Sequence, residues 1–149
     1  MTFSDDTVDW LILLMAVIAI TDQNFEDEVV KSKLPVVVDF WGSWCVPCIA
    51  ALPKLVEVQS KYKGKGLVTL SIAMDRLEDL EKLKSIIIDK KLDWTNLFVD
   101  RNGSMTILKD YKIQQYPTTL LIDQKGKVVM RSTGAKALEE IDEYLSKKL

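Results

Sequence analysis

The chain is predicted to fold as an α/β layer structure, a mixed central β-sheet flanked by helices on both faces. Three patterns among its 149 residues carry that prediction. Short apolar runs alternate with segments whose apolar residues recur at helical spacing. Two runs, 36–40 (V-V-V-D-F) and 67–74 (L-V-T-L-S-I-A-M), are nearly continuous, as strands buried on both faces are. The chain then closes with a hairpin pattern and a last helix, so the sheet must mix parallel and antiparallel pairs.

The elements follow in order. Thr21-Asp22 caps a helix that carries Phe25, Val29 and Val30 and ends near Ser32. Pro35 opens the strand at 36–40. A helix starts at the cysteines and reaches about Tyr62, where Gly64 and Gly66 end it. Leu52, Leu55 and Val56 share its buried side, with Gln59 and Lys61 outside. Pro53 inside this helix removes one ladder bond and predicts a kink. After the strand at 67–74, Leu77, Leu80, Leu83 and Ile87 recur at helical spacing, with Glu78 and Lys82 placed as an ion pair. A short strand, 97–99, precedes an R-N-G turn at 101–103 and a helix near Met105–Asp110. Residues 118–123 and 127–132 flank D-Q-K-G as a hairpin. The final helix buries Leu138, Ile141 and Leu145, with Glu139 and Glu140 early and Lys147 and Lys148 late, which suits the helix dipole.

Bulk properties narrow the function. One domain of this size buries a core without disulfide staples. The net charge of −2, with no concentrated basic run, argues against a nucleic-acid partner. The lysines between 61 and 65 read as a solvated helix end. The chain has no histidine, which excludes Ser-His-Asp and Cys-His catalysis and His-ligated zinc. Two cysteines alone cannot close a structural zinc site. The apolar run 10–20 is far shorter than the about 20 residues that cross a bilayer. No basic residue precedes it, so it lacks the start of a secretory signal. It reads as a buried N-terminal element, with a membrane-anchor remnant as the sharper alternative.

Residues 41–48 read W-G-S-W-C-V-P-C and hold the only cysteines, Cys45 and Cys48. This spacing, between an apolar strand and a helix, suits reversible dithiol–disulfide chemistry; a passive disulfide is the plainer alternative. Cys45 falls at the first helical turn, where unpaired N–H groups and the dipole favour a thiolate. Cys48, one turn further in, should be more buried and less acidic. That asymmetry makes Cys45 the attacking thiol and Cys48 the resolving one. Asp39 stands in an apolar strand, so burial should raise its pKa and suit it to accept the second thiol's proton, through water. Tyr116-Pro117 precedes the strand T-T-L-L-I; only about 5–6% of such bonds are cis.

The motifs together resemble the thioredoxin superfamily from about Val17 to Leu149. They are V-V-V-D-F-W, W-C-V-P-C, Pro53 five residues beyond the second cysteine, Y-P-T-T before the hairpin, and Gly134 before the last helix. The N-terminal half is similar to thioredoxin proper. F-W-G-S-W-C, L-F-V-D-R-N-G and T-T-L-L-I-D-Q-K-G-K-V-V resemble the TlpA/ResA-type reductases. The resemblance implies a thioredoxin fold at 17–149, an apolar extension at 1–16, and an extra α/β insertion at about 75–96, before the cis-proline loop. It implies that Pro117 is cis and that Tyr116 offers backbone hydrogen bonds to an extended substrate. Trp44, Val46 and Pro47 complete the implied substrate surface. Two positions depart from the pattern. Ala51 stands where many TlpA/ResA-type proteins have Glu, so proton handling passes to Asp39. Ser71 stands where thioredoxins have a Lys that pairs with the buried Asp, so Asp39 should titrate higher.

The implied activity is a thiol–disulfide oxidoreductase that reduces protein disulfides. The strongly oxidising members usually carry His between the cysteines, and this chain has Val-Pro. A non-catalytic module that holds extended peptides in the Tyr116-Pro117 groove is the second reading. A thiol peroxidase is a third, weakened by the lack of an Arg near Cys45 in sequence. No prosthetic group is implied beyond the Cys45–Cys48 disulfide. The implied partners are a disulfide-containing protein and an upstream dithiol donor, with no nucleic acid and no stable membrane insertion, and the chain is expected to be monomeric. A native start at Met1 would mean the cytoplasm; a signal or anchor upstream would mean an extracytoplasmic protein.

Overall fold

The structure is a computed structural model that describes residues 18–19, 21–100 and 106–149. Its strands are β1 (Ile18–Ala19), β2 (Val36–Trp41), β3 (Val68–Asp75), β4 (Thr95–Asp100), β5 (Thr118–Ile122) and β6 (Val128–Thr133). Its helices are α1 (Asp22–Phe25), α2 (Val46–Tyr62), α3 (Leu80–Asp89), α4 (Thr106–Asp110) and α5 (Ala137–Lys148). The strands form one sheet in the order β1-β4-β3-β2-β5-β6. The pairs β1–β4, β3–β4 and β2–β3 are parallel, while β2–β5 and β5–β6 are antiparallel. Helix α3 is the crossover between β3 and β4, so the segment read as an insertion adds a helix and leads into a strand that pairs with β3 on one side and β1 on the other.

Alternation along β2 sorts the core into two layers. Val37 and Trp41 pack with residues of α2, α3 and α5. Val36, Val38 and Phe40 pack with Phe25 and Val29 near α1 and with Ile107 and Leu108 of α4. Asp39 lies between Val37 and Trp41 and so shares the face that α2 covers.

Several local devices match the sequence reading. Thr21 and Asn24 cap α1 reciprocally, each side-chain oxygen accepting the other's backbone N–H, at 3.0 and 2.9 Å. The helix then widens into a π-helical turn, Glu26–Val30. Gly66, at φ +96°, ends the chain's path out of α2 in the left-handed region that glycine adopts without strain. In the hairpin, Asp123 accepts the N–H groups of Lys125 and Lys127, both at 2.9 Å.

Other expectations need correcting. Gln59 is buried, because Thr69 on β3 reaches up and donates to its Oε1 at 2.6 Å. Leu77 is exposed: it sits in a 3₁₀ turn, Leu77–Asp79, before α3 starts, so helical spacing does not carry it inward. The same turn aims Glu78 at Arg76 (3.5 Å) rather than at Lys82. Pro53 lies inside helix α2, on its exposed side. The R-N-G turn, Met105 and nearly all of the apolar run at 10–20 lie outside the described residues.

Asp142 of α5 ties that helix to α2. It accepts from Tyr62 Oη at 2.6 Å, Lys54 Nζ at 3.0 Å and Lys61 Nζ at 3.1 Å. The Tyr62 hydroxyl and the two ammonium groups hold its carboxyl down, to about 2. Tyr62→Phe keeps the packing and loses the hydroxyl, so it should cost about 1 kcal/mol, read from the urea midpoint.

Candidate active site

The site is built on the turn that joins β2 to α2. Cys45 N–H donates to Gly42 O at 3.0 Å, which closes the turn. Cys45 is the N-cap of α2 in extended conformation, and its Sγ accepts the N–H of Cys48 at 3.3 Å. One orphan N–H of the helix therefore points at the first sulfur, the arrangement that favours a thiolate there. Pro47 falls in the first helical turn, where a missing N–H leaves no bond unmade. Cys45 and Cys48 are joined by a disulfide with a Cα–Cα distance of 5.2 Å. Cys48 is 1% exposed and Cys45 5%, whereas Val46 between them is 76% exposed.

The end of β3 fixes the two middle residues of this turn. Asp75 is fully buried, and its carboxylate accepts the Ser43 N–H (3.2 Å to Oδ2) and the Ser43 hydroxyl. Trp44 donates its indole N–H to the Met74 carbonyl at 2.6 Å. A Cβ on Gly42 would overlap that indole and crowd the same carbonyl, so the turn requires glycine there. Burial pushes the Asp75 carboxyl up, against the two Ser43 donors that hold it down.

The loop before β5 completes the surface. The Tyr116–Pro117 peptide is cis. The Tyr116 ring meets Trp44 edge-on at 5.5 Å between centroids, and its hydroxyl donates to Met74 Sδ at 3.4 Å. Tyr116 also packs on the cluster that contains both cysteines. Pro117 is buried, and its carbonyl accepts the Gly134 N–H at 2.9 Å. Trp44, Cys45, Cys48 and Tyr116 thus come together, with Pro117 directly beyond Tyr116 and Val46 and Pro47 exposed beside them.

Asp39 lies beneath α2, paired in register with Ser71 on β3 and Thr119 on β5. Thr119 donates to Asp39 Oδ1 at 3.3 Å. Ser71 takes its own donor, the indole N–H of Trp94, at 2.8 Å. No cation neighbours Asp39 in these pairings, and burial pushes its carboxyl up to about 7 despite the Thr119 bond. Ala51 is half-buried against the cysteine cluster. Among the described residues, no group of three or more His, Cys, Asp and Glu is placed to hold a metal ion.

Sequence reasoning missed Ser43, Met74 and Asp75. A signal was present: Asp75 ends an apolar run as abruptly as Asp39 interrupts one. The register that sets β3 beside the cysteine turn is a tertiary fact, and no spacing shows it.

The mixed sheet, the capped disulfide and the cis proline define a class, proteins of thioredoxin fold with a redox-competent cysteine pair. The comparisons agree. The Thioredoxin-like family model matches residues 34–128, more than half of the chain. The chain is 36% identical over 112 residues to the thiol-disulfide oxidoreductase ResA of Bacillus thuringiensis subsp. konkukian, covering 75% of this chain and 62% of that protein. It thus spans less than two thirds of the length of that relative. It is 31% identical over 129 residues to a thioredoxin of Chlorobaculum thiosulfatiphilum, covering 84% of this chain and 93% of that protein. The thioredoxin domain of a Bacteroides vulgatus thiol-disulfide oxidoreductase superposes with a TM-score of 0.68 at 25% identity, over 85% of this chain and 84% of that one. A putative thiol:disulfide interchange protein DsbE of Chlorobium tepidum gives 0.65 at 29% identity, over 79% of each chain. The chain belongs to the thioredoxin-like family.

Two outcomes follow from this geometry. Asp75→Ala strands the Ser43 N–H and hydroxyl in a buried site, so it should cost about 1–3 kcal/mol in denaturant unfolding and alter Trp44 fluorescence. Asp39 holds a proton in the folded state between about 3.9, where it ionises when unfolded, and about 7. Stability should therefore fall as pH rises through that window and level off above it. Asp39→Asn removes the effect. It should stabilise the oxidised protein by about 2–4 kcal/mol at pH 8 and by little at pH 4, measured as urea midpoints at both.

Proposed function

We propose that this chain is a thiol–disulfide oxidoreductase that reduces disulfides of protein substrates. The observation that supports it most is the Cys45–Cys48 disulfide at the N-cap of α2, with Trp44, Val46 and Tyr116 around it. In the reduced protein the Cys45 thiolate attacks one sulfur of the substrate disulfide. That S–S bond breaks, the other substrate sulfur leaves as a thiolate and takes a proton, and a mixed disulfide joins Cys45 to the attacked sulfur. Cys48 then loses its proton to Asp39 through water and attacks Cys45 Sγ. The second substrate thiolate leaves, and the Cys45–Cys48 disulfide forms. The substrate has gained two electrons, and a dithiol donor returns the protein to its reduced form. Asp39 suits the proton step because a group near 7 both accepts and releases a proton at neutral pH.

Trp44, Val46, Pro47 and Tyr116 form the face on which a substrate segment would lie, beside the Tyr116–Pro117 loop. The absence of histidine between the cysteines favours a reducing potential, nearer about −270 mV than about −120 mV. Among the described residues no helix is long and apolar enough to cross a membrane.

Insulin reduction with a dithiol donor tests the reading. Wild type should turn over, Cys45→Ser should be inactive, and Cys48→Ser should accumulate the mixed disulfide. Equal activity in wild type and Cys45→Ser would favour the peptide-binding module instead. A reduction potential above about −150 mV would reverse the direction proposed.

A further inference from the structure

A cavity of about 410 Å³ opens beside Tyr116, on the side of α4. Its apolar wall is Met74, Leu108, Ile113 and Tyr116, and Lys109 and Lys112 also line it. Two of these residues are shared with the redox face. Met74 accepts the Trp44 indole through its carbonyl, and Tyr116 meets the Trp44 ring. A substrate segment lying over Trp44 and Tyr116 would therefore lie beside the cavity.

The lining is basic as well as apolar. Among the described residues it includes two exposed lysines and no acidic residue. Their backbone is held in place: Lys112 N–H donates to Lys109 O at 3.1 Å and Ile113 N–H to Leu108 O at 2.8 Å, closing the end of α4. The volume falls within the range of pockets that take a specific ligand group. An extended segment sends successive side chains to opposite sides, so an apolar residue in the cavity leaves a neighbour within two positions facing the rim.

We propose that this cavity takes an apolar side chain of the substrate protein, and that Lys109 and Lys112 select substrates with Asp or Glu within two positions of it. The occupant is thus an acidic-apolar segment beside the target disulfide. The proposal rests on the reductase reading above and adds the substrate class to it.

The test uses three peptides, each closed by one disulfide and differing only in the flanking segment: Phe-Asp-Glu, Phe-Lys-Lys or Ser-Asp-Glu. The wild type should favour Phe-Asp-Glu over Phe-Lys-Lys by about three- to tenfold in kcat/KM at low ionic strength, as two exposed ion pairs allow, and the preference should shrink in high salt. Replacing Phe by Ser should lower kcat/KM. Lys109→Glu with Lys112→Glu should invert the charge preference, and the two Lys→Gln changes should abolish it. The ratio between peptides cancels the chemistry at Cys45. Equal rates for the acidic and basic peptides, or a ratio that charge reversal leaves unmoved, overturn the proposal. A small aromatic disulfide run in parallel separates the two claims. Its turnover without peptide discrimination overturns the subsite alone, whereas no turnover of any disulfide overturns the reductase reading and the subsite with it.

Discussion

The geometry of the cysteine pair depends on the anchoring of the Gly42–Cys45 turn to the end of β3. A helix N-terminus offers unpaired N–H groups wherever it lies, and by itself it fixes neither the approach of the chain nor the aim of the first sulfur. Here β3 is paired with β2 as far as Ala73 and with β4 through Met74 and Asp75, so its last residues are held by β4. Asp75 takes both donors of Ser43, and the Met74 carbonyl takes the Trp44 indole. Trp44 then meets Tyr116, whose hydroxyl returns to Met74 Sδ. The nucleophile turn, the exposed indole and the cis-proline loop are thereby referred to one strand end, and a shift in any of them is opposed by the other two.

Beneath α2 the sheet carries polar groups that are paired locally. Thr69 bonds Gln59, Trp94 bonds Ser71, and Thr119 bonds Asp39. The first two pairs satisfy each other without charge, which keeps the cost of burying them small. Asp39 has only a neutral hydroxyl to offset its desolvation, and its high proton affinity follows. Ser71 is a cause as much as a neighbour. A cation at that position would lower Asp39, and a neutral hydroxyl brings no such charge.

Most of the fold was legible because its signals are local. The apolar runs of β2 and β3, the caps of α1, the Gly66 stop and the D-Q-K-G hairpin all act within a few residues of themselves. The errors fall where a tertiary partner or an irregular turn decides. Gln59 sits on what looked like a polar helix face until Thr69 met it. Leu77 keeps the helical period, yet a 3₁₀ turn places it before the helix. In the site, Cys45 and Cys48 declare themselves by spacing, and Asp39 by being charged among valines. Ser43 and Asp75 are separated by 32 residues and pair only because β2 and β3 run parallel in a register that brings their ends together.

The near-complete burial of the sulfurs has a kinetic meaning. Cys48 is closed off and Cys45 shows only an edge. Among the described residues, the pair meets solvent chiefly at the Cys45 edge. On the proposed reading, the molecule that supplies electrons and the molecule that receives them would enter by it in turn, each excluding the other while bound. A shuttle of that kind would alternate between two covalent states and form no ternary complex, so an excess of either partner would slow the exchange.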